Sequence, residues 1–177
     1  MELLDLYTKD KEKTNLIIQR GDKVPEGYYR LVVHICIFNE EGKMLIQQRT
    51  PNKKWGNKWD ISVGGCVSSG EDSSLAAHRE VQEELGLNID FSNKRCNFTF
   101  NFDEGFDDIF LVTVNNLDLN TLSLQPTEVQ AVKWATREEI VQMIRNDKFI
   151  LYYESYINLL FEFQNAPDLF QEFKENK

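Results

Sequence analysis

The chain has little of what builds cross-linked or metal-locked scaffolds. Its 177 residues include three cysteines, Cys36, Cys66 and Cys96, with no CxxC pair, and two histidines, His34 and His78. An odd, scattered set of thiols argues against a disulfide framework and a closed zinc site, and reads as reduced cytosolic cysteine. No stretch approaches the roughly 18 consecutive apolar residues of a membrane span. The opening Met1-Glu2-Leu3-Leu4-Asp5 puts acids where a secretory signal needs a basic start. A cytoplasmic location is expected by elimination. Basic residues are also short, 20 against 29 acids, for a net charge of −9. That balance argues against long nucleic acids as partners. A small phosphorylated ligand stays open, because one metal ion and a few local cations can reverse the sign inside a pocket.

What is present fits one folded domain. A chain of this length buries about 70% of the surface its unfolded form exposes. Leu3–Tyr7 and Asn15–Gln19 read as an N-terminal hairpin or loosely attached strand pair, an extension covering residues 1–30. Leu31–Phe38 reads as a buried strand, followed by a turn at Glu40–Lys43 and strands at Met44–Gln48 and Trp59–Val63. From Ser73 to Leu85 the period changes: Ala77, Val81 and Leu85 recur every four residues, as on one helical face, with Asp72 or Ser73 to cap it and Gly86 to end it. Further strands are expected at Asn97–Phe102, Ile109–Val114 and Val129–Trp134. A helix should start at the capping box Thr136-Arg137-Glu138-Glu139, and an aromatic one should cover Leu151–Phe163. Strands alternating with helices indicate an α/β class, with a core over 31–135 and helices over 136–177.

The segment from Gly64 to Leu87 carries the chemistry. At about 100° per residue, Glu80, Glu83 and Glu84 share one side of the helix, away from Val81 and Leu85. Like charges at this spacing cost an isolated helix about 0.2–0.5 kcal/mol per pair. Arg79 can pair with Glu83, but one guanidinium does not satisfy three acids. A hard divalent cation can, since Mg²⁺ takes oxygen ligands, keeps waters and uses one or two carboxylates with substrate phosphates. The competing reading is a solvated acidic face. Gly64-Gly65 leaves a strand end without side chains, where backbone can approach a ligand, or is an ordinary turn.

Gly65, five residues, Glu71, seven residues, then Arg79-Glu80-Val81-Gln82-Glu83-Glu84-Leu85-Gly86-Leu87 resembles the Nudix box at every specified position. The resemblance implies an α/β/α sandwich with a mixed sheet and a Mg²⁺-dependent hydrolase of diphosphate linkages, with Mn²⁺ as a substitute ion. It implies Glu83 and Glu84 as principal metal ligands, a Gly64 carbonyl beside them, and Glu80 as a ligand or general base. Glu71 and Arg79 correspond to a supporting pair. A later acid is common in the family; Glu128, six residues before Trp134, is placed for it, with Asp103, Glu104, Asp107 and Asp108 as competitors. Arg49, Lys53, Lys54 and Lys58 are candidates for anionic parts of the substrate, or a solvated basic loop. Trp55 is a candidate stacking platform; Trp59 reads as core.

Phe38-Asn39, Gln48-Arg49 and Trp59–Gly65 are similar to the branch related to isopentenyl-diphosphate isomerase. That enzyme shifts a double bond, and needs a cysteine where this chain has Gly64 and a histidine where it has Cys66. With two histidines and an intact acidic cluster, hydrolysis is the preferred reading, and a nucleotide-sensing domain without catalysis is the other rival. Tyr152, Tyr153 and Tyr156 form a stripe expected in the core or at a homodimer interface.

Overall fold

The computed structural model describes residues 2–166. β1 (Leu3–Tyr7) and β2 (Lys13–Gln19) pair antiparallel as a separate hairpin. β3 (Arg30–Phe38), β4 (Met44–Arg49), β5 (Trp59–Asp60), β6 (Val63–Cys66), β7 (Phe98–Phe102), β8 (Gly105–Thr113) and β9 (Val129–Ala135) form a mixed seven-stranded sheet. β3 is its axis. It pairs in parallel with β8 from Arg30↔Gly105 to Phe38↔Thr113, and antiparallel with β6 from Val32↔Cys66 to Ile35↔Val63. β4 carries β5 and β9.

Successive strand residues face opposite sides, so β3 feeds two cores. Leu31, Val33, Ile35 and Ile37 pack with Ala77, Val81 and Leu85 of α1 (Ser73–Leu85). Cys36 and Phe38 pack with Ile140 and Ile144 of α2 (Arg137–Arg145) and with Ile157 and Leu160 of α3 (Glu154–Phe163). The result is the expected helix–sheet–helix sandwich. α1 is bounded as its sequence requires: the Asp72 carboxylate accepts from the Leu75 N–H at 2.9 Å, and Gly86 closes it in a left-handed conformation at φ 68°. The Thr136 capping box forms with both bonds in place. Among the described residues no helix is long and apolar enough to cross a membrane, and Cys36, Cys66 and Cys96 are unpaired.

Four features depart from the sequence reading. The hairpin is not loosely attached: Leu4 and Leu6 are buried, Tyr7 exchanges backbone hydrogen bonds with Tyr29, and the Ser69 N–H donates to the Leu3 carbonyl at 2.7 Å. β8 starts at Gly105, so Asp107 and Asp108 lie in a strand and only Asp103 and Glu104 separate it from β7. α3 starts at Glu154, because Trp59 and residues 148–150 exchange backbone hydrogen bonds that hold the preceding segment extended against β5. The expected strand Trp59–Val63 is two strands, one on β4 and one on β3.

That split has a local cause. β3 and β4 pair in register only at Phe38↔Met44 and then diverge. Ser62, fully buried between β5 and β6, spans the gap: its hydroxyl accepts from the Ile37 N–H at 2.8 Å and donates to the Leu45 carbonyl at 2.5 Å. Two interior backbone groups are thereby satisfied without a strand ladder. Ser62→Ala leaves both without this partner at a cost of about 1–3 kcal/mol each, and urea denaturation should show a lower midpoint at unchanged slope.

Candidate active site

Arg79, on the second turn of α1, organises the cleft. Its Nε and Nη2 donate to the two oxygens of Glu71 at 2.8 and 2.9 Å, and Nη2 also donates to the Cys66 carbonyl at 3.0 Å. Nη1 donates to Glu80 Oε1 at 2.7 Å and reaches Glu83 Oε2 at 3.4 Å. One planar fork thus ties the loop before the helix, the end of β6 and two acids of the helix together. Burial opposes ionisation of Glu71, but the Arg79 fork and the Ser68 N–H outweigh it and hold its pKa below the usual value. The same bonds to Glu71, with Glu80 alongside, raise that of Arg79.

The helical wheel places Glu80, Glu83 and Glu84 on one side, away from Val81 and Leu85, and the fold buries two of the three. Glu80 and Glu84 are 7% and 5% exposed, while Glu83 remains at the surface with a half-exposed side chain. Burial, partly offset by Arg79, raises the Glu80 pKa. Burial also drives Glu84 up to about 8, helped by Glu80, Glu128 and Asp60 and opposed by a 2.8 Å hydrogen bond from Gln47 Nε2. The carboxylates line a cleft of about 290 Å³ together with Gly64, Gly65, Arg79, Gln125 and Glu128. Glu2 and Arg20 of the hairpin close its rim.

The absence of side chains on the glycines is structural here. A Cβ on Gly65 would collide with the Glu80 carboxylate, and one on Gly64 with the His34 ring. Among the described residues no three acids, histidines or cysteines stand close enough together to hold an ion between them. The arrangement suits an open site instead: a carboxylate in a hollow only glycine leaves, next to a second buried acid that lacks a full counter-charge. Mg²⁺, which takes few protein ligands and completes its shell with water and phosphate, matches that donor set.

A second cleft, about 470 Å³, adjoins the first at Gly64 and Gly65. Arg49 and Trp55 line it. Arg49 is held by Asp60 at 3.1 Å and by the Lys54 carbonyl at 3.0 Å; the Trp55 ring is half exposed, with Lys54 Nζ 4.3 Å from its centroid. His34 Nδ1 lies 2.7 Å from Asp107 Oδ2 on the cleft wall, and the Tyr152 hydroxyl donates to Asp60 at 2.9 Å. Lys53 lines neither cleft and is ion-paired with Glu128. Lys58 pairs with Asp147. Of the competitors to Glu128, Asp107 faces the second cleft, and Asp108 is bound by Lys11, Thr99 and Ser73 beside the start of α1. Trp59 packs against the core beneath Lys133. Glu2, Arg20 and Gln47 carried no local sequence signal; Gln47 lies in a strand whose first four residues are all buried, and its contact with Glu84 comes from the fold.

Comparison with known proteins places this geometry in context. The NUDIX domain family model matches residues 28–154. An uncharacterized Nudix hydrolase of Listeria innocua is 44% identical over 96% of this chain and 99% of its own length. A crystal structure of a Deinococcus radiodurans protein superposes with a TM-score of 0.71 at 26% identity, covering 90% of this chain and 97% of that one. An isopentenyl-diphosphate Delta-isomerase of Pectobacterium atrosepticum is 24% identical over 100% of this chain and 99% of its own.

The Glu84 shift gives a pH signature without metal. Its folded pKa lies above the unfolded 4.5, so the folded state binds the extra proton, and stability falls as pH rises from about 4.5 to about 8. In chelator, Glu84→Gln should flatten that part of the stability–pH curve and exceed the wild type in stability at alkaline pH.

Proposed function

The chain belongs to the Nudix family, and on that premise we propose that it is a hydrolase that cleaves a diphosphate linkage in a nucleoside-diphosphate-linked or related small substrate. The observation that carries this reading is the convergence of Glu80, Glu83, Glu84 and Glu128 on one cleft whose geometry Arg79 fixes through Glu71. Glu80, Glu83, Glu84 and the Gly64 carbonyl would hold Mg²⁺, or Mn²⁺ in its place. When bound, such an ion neutralises charge on phosphate oxygens and lowers the pKa of coordinated water.

The residues of the chain then divide the work. Water attacks phosphorus, the bond from phosphorus to its bridging oxygen breaks, and the leaving phosphate departs with the electron pair. A cleft carboxylate takes the proton of the attacking water; Glu80 and Glu128 are the two candidates, the first fixed by Arg79 and the second by Lys53. Arg79 is a positioning residue, since all its donors are spent on protein acceptors. Arg49 and Trp55 meet the group attached to the diphosphate, and Lys53 sets Glu128. Residues 1–177 act in this reading as one cytoplasmic domain. A homodimer would use the aromatic edge where Phe100, Leu151 and Tyr153 are exposed.

The isomerase reading has the Pectobacterium relative in its favour. Against it, the chain has two histidines, His34 and His78, too few for a histidine ligand set, and Gly64 stands where the catalytic thiol would. Burial raises the pKa of the neighbouring Cys66 thiol.

A panel of nucleoside-diphosphate-linked compounds with product masses tests the proposal. Turnover should vanish in chelator, return with Mg²⁺ or Mn²⁺, and drop at least about 100-fold in Glu83→Gln or Glu84→Gln, since even outer-shell changes at metal sites cost about 10–100-fold. Undiminished turnover in those variants, or a product with a shifted double bond, refutes it. Saturable nucleotide binding without product assigns a sensing domain.

A further inference from the structure

Three residues line both clefts: Gly64, Gly65 and Arg20. The two glycines offer backbone only, so Arg20 is the side chain at the junction. It follows the last residue of β2, and its backbone N–H donates to the Glu2 carbonyl at 2.9 Å. Its guanidinium is held there by one carboxylate, Nη1 to Glu2 Oε2 at 2.6 Å, with the side chain half exposed.

The hairpin that delivers Arg20 is locked to the loop ahead of α1. Asp5, 5% exposed, accepts from Ser69 Oγ at 2.7 Å and from the Gly70 N–H at 2.8 Å, and is ion-paired with Lys13. Glu2 itself is 3.3 Å from Ser68 Oγ. Arg20 is therefore held in register with Glu71 and Arg79, although it is far from them along the chain.

Charge then decides what Arg20 is for. Among the described residues lining the carboxylate cleft, the cations are Arg79 and Arg20, against Glu2, Glu80, Glu83, Glu84 and Glu128. Arg79 has its donors committed to protein oxygens, whereas Arg20 keeps most of its five. An anion that enters between the acids needs donors that are still free.

We infer that Arg20, supplied by the N-terminal hairpin, is a substrate-binding residue that takes the phosphate of the diphosphate remote from Glu83 and Glu84, where the carboxylate cleft opens into the second cleft. The inference rests on the hydrolase reading and gives the substrate a direction. The attached group runs from Arg20 past Arg30, whose buried Nε has no hydrogen-bond partner, toward Lys54 and Trp55. Arg30 and Lys54 supply donors along that path and Trp55, Phe102 and Tyr152 supply aromatic surface, a lining that suits a group with both acceptors and a flat ring, such as a nucleoside.

The test measures binding of methylene diphosphonate, which resists hydrolysis, by calorimetry in calcium buffer, using the full chain with Arg20→Ala or Arg20→Lys. Arg20→Ala should weaken binding about 10-fold or more, the loss of a hydrogen bond between charged groups; Arg20→Lys should be intermediate, with melting temperatures near wild type. On the substrate found by the panel, Arg20→Ala should raise KM and leave kcat within a few-fold. Equal affinity in wild type and Arg20→Ala, or no binding by the wild type, overturns the inference. Arg20-dependent binding with no product from any panel compound would sink the hydrolase reading and leave the anion site standing.

Discussion

A single guanidinium holds the acidic cleft in shape. Three glutamates within five residues of one helix repel one another, and two of them are also desolvated by the fold. Arg79 offsets part of that cost by bridging Glu80 and Glu83 to Glu71 and to the end of β6. The fork has two consequences: it locks the loop to the helix, and it leaves Glu84, beyond its reach, as the acid with the unpaid electrostatic demand. A lysine would carry the same charge but not the five-donor geometry that meets these acceptors at once.

The glycine pair in β6 matters for the converse reason, by leaving space. Gly65 makes room for the Glu80 carboxylate and Gly64 for the His34 ring, so the strand separates two clefts by backbone alone. One cleft is lined by acids, the other by Arg30, Arg49 and Lys54 with aromatic neighbours. On the proposed reading this local polarity reconciles a net charge of −9 with a phosphorylated ligand: the cations would meet the substrate, and the acids a hard ion.

The divergence of β3 and β4 is the other constraint that shapes the site. It gives β6 its place on β3, while Ser62 satisfies the backbone groups across the gap. The same divergence leaves β4 free to bring Gln47 to Glu84, and the turn before β9 to bring Glu128 opposite α1, with Lys53 fastening it. The hairpin completes the rim, so the cleft draws on segments from Glu2 to Glu128.

Local order was legible in the residues themselves. The four-residue recurrence of Ala77, Val81 and Leu85, the Asp72 and Gly86 boundaries and the Thr136 box are signals between near neighbours, and the helices follow them closely. The spacing from Gly65 to Leu87 likewise carried the family and the acids, because loop, strand end and helix are contiguous there. Packing alone decided that Glu80 and Glu84 are buried while Glu83 is not, that Trp59–Val63 breaks in two, that Lys53 serves Glu128, and that Glu2 and Arg20 reach the cleft. Each of those outcomes depends on contacts between segments distant along the chain, and a periodicity read over one or two helical turns holds no information about which distant surface will cover a given side chain.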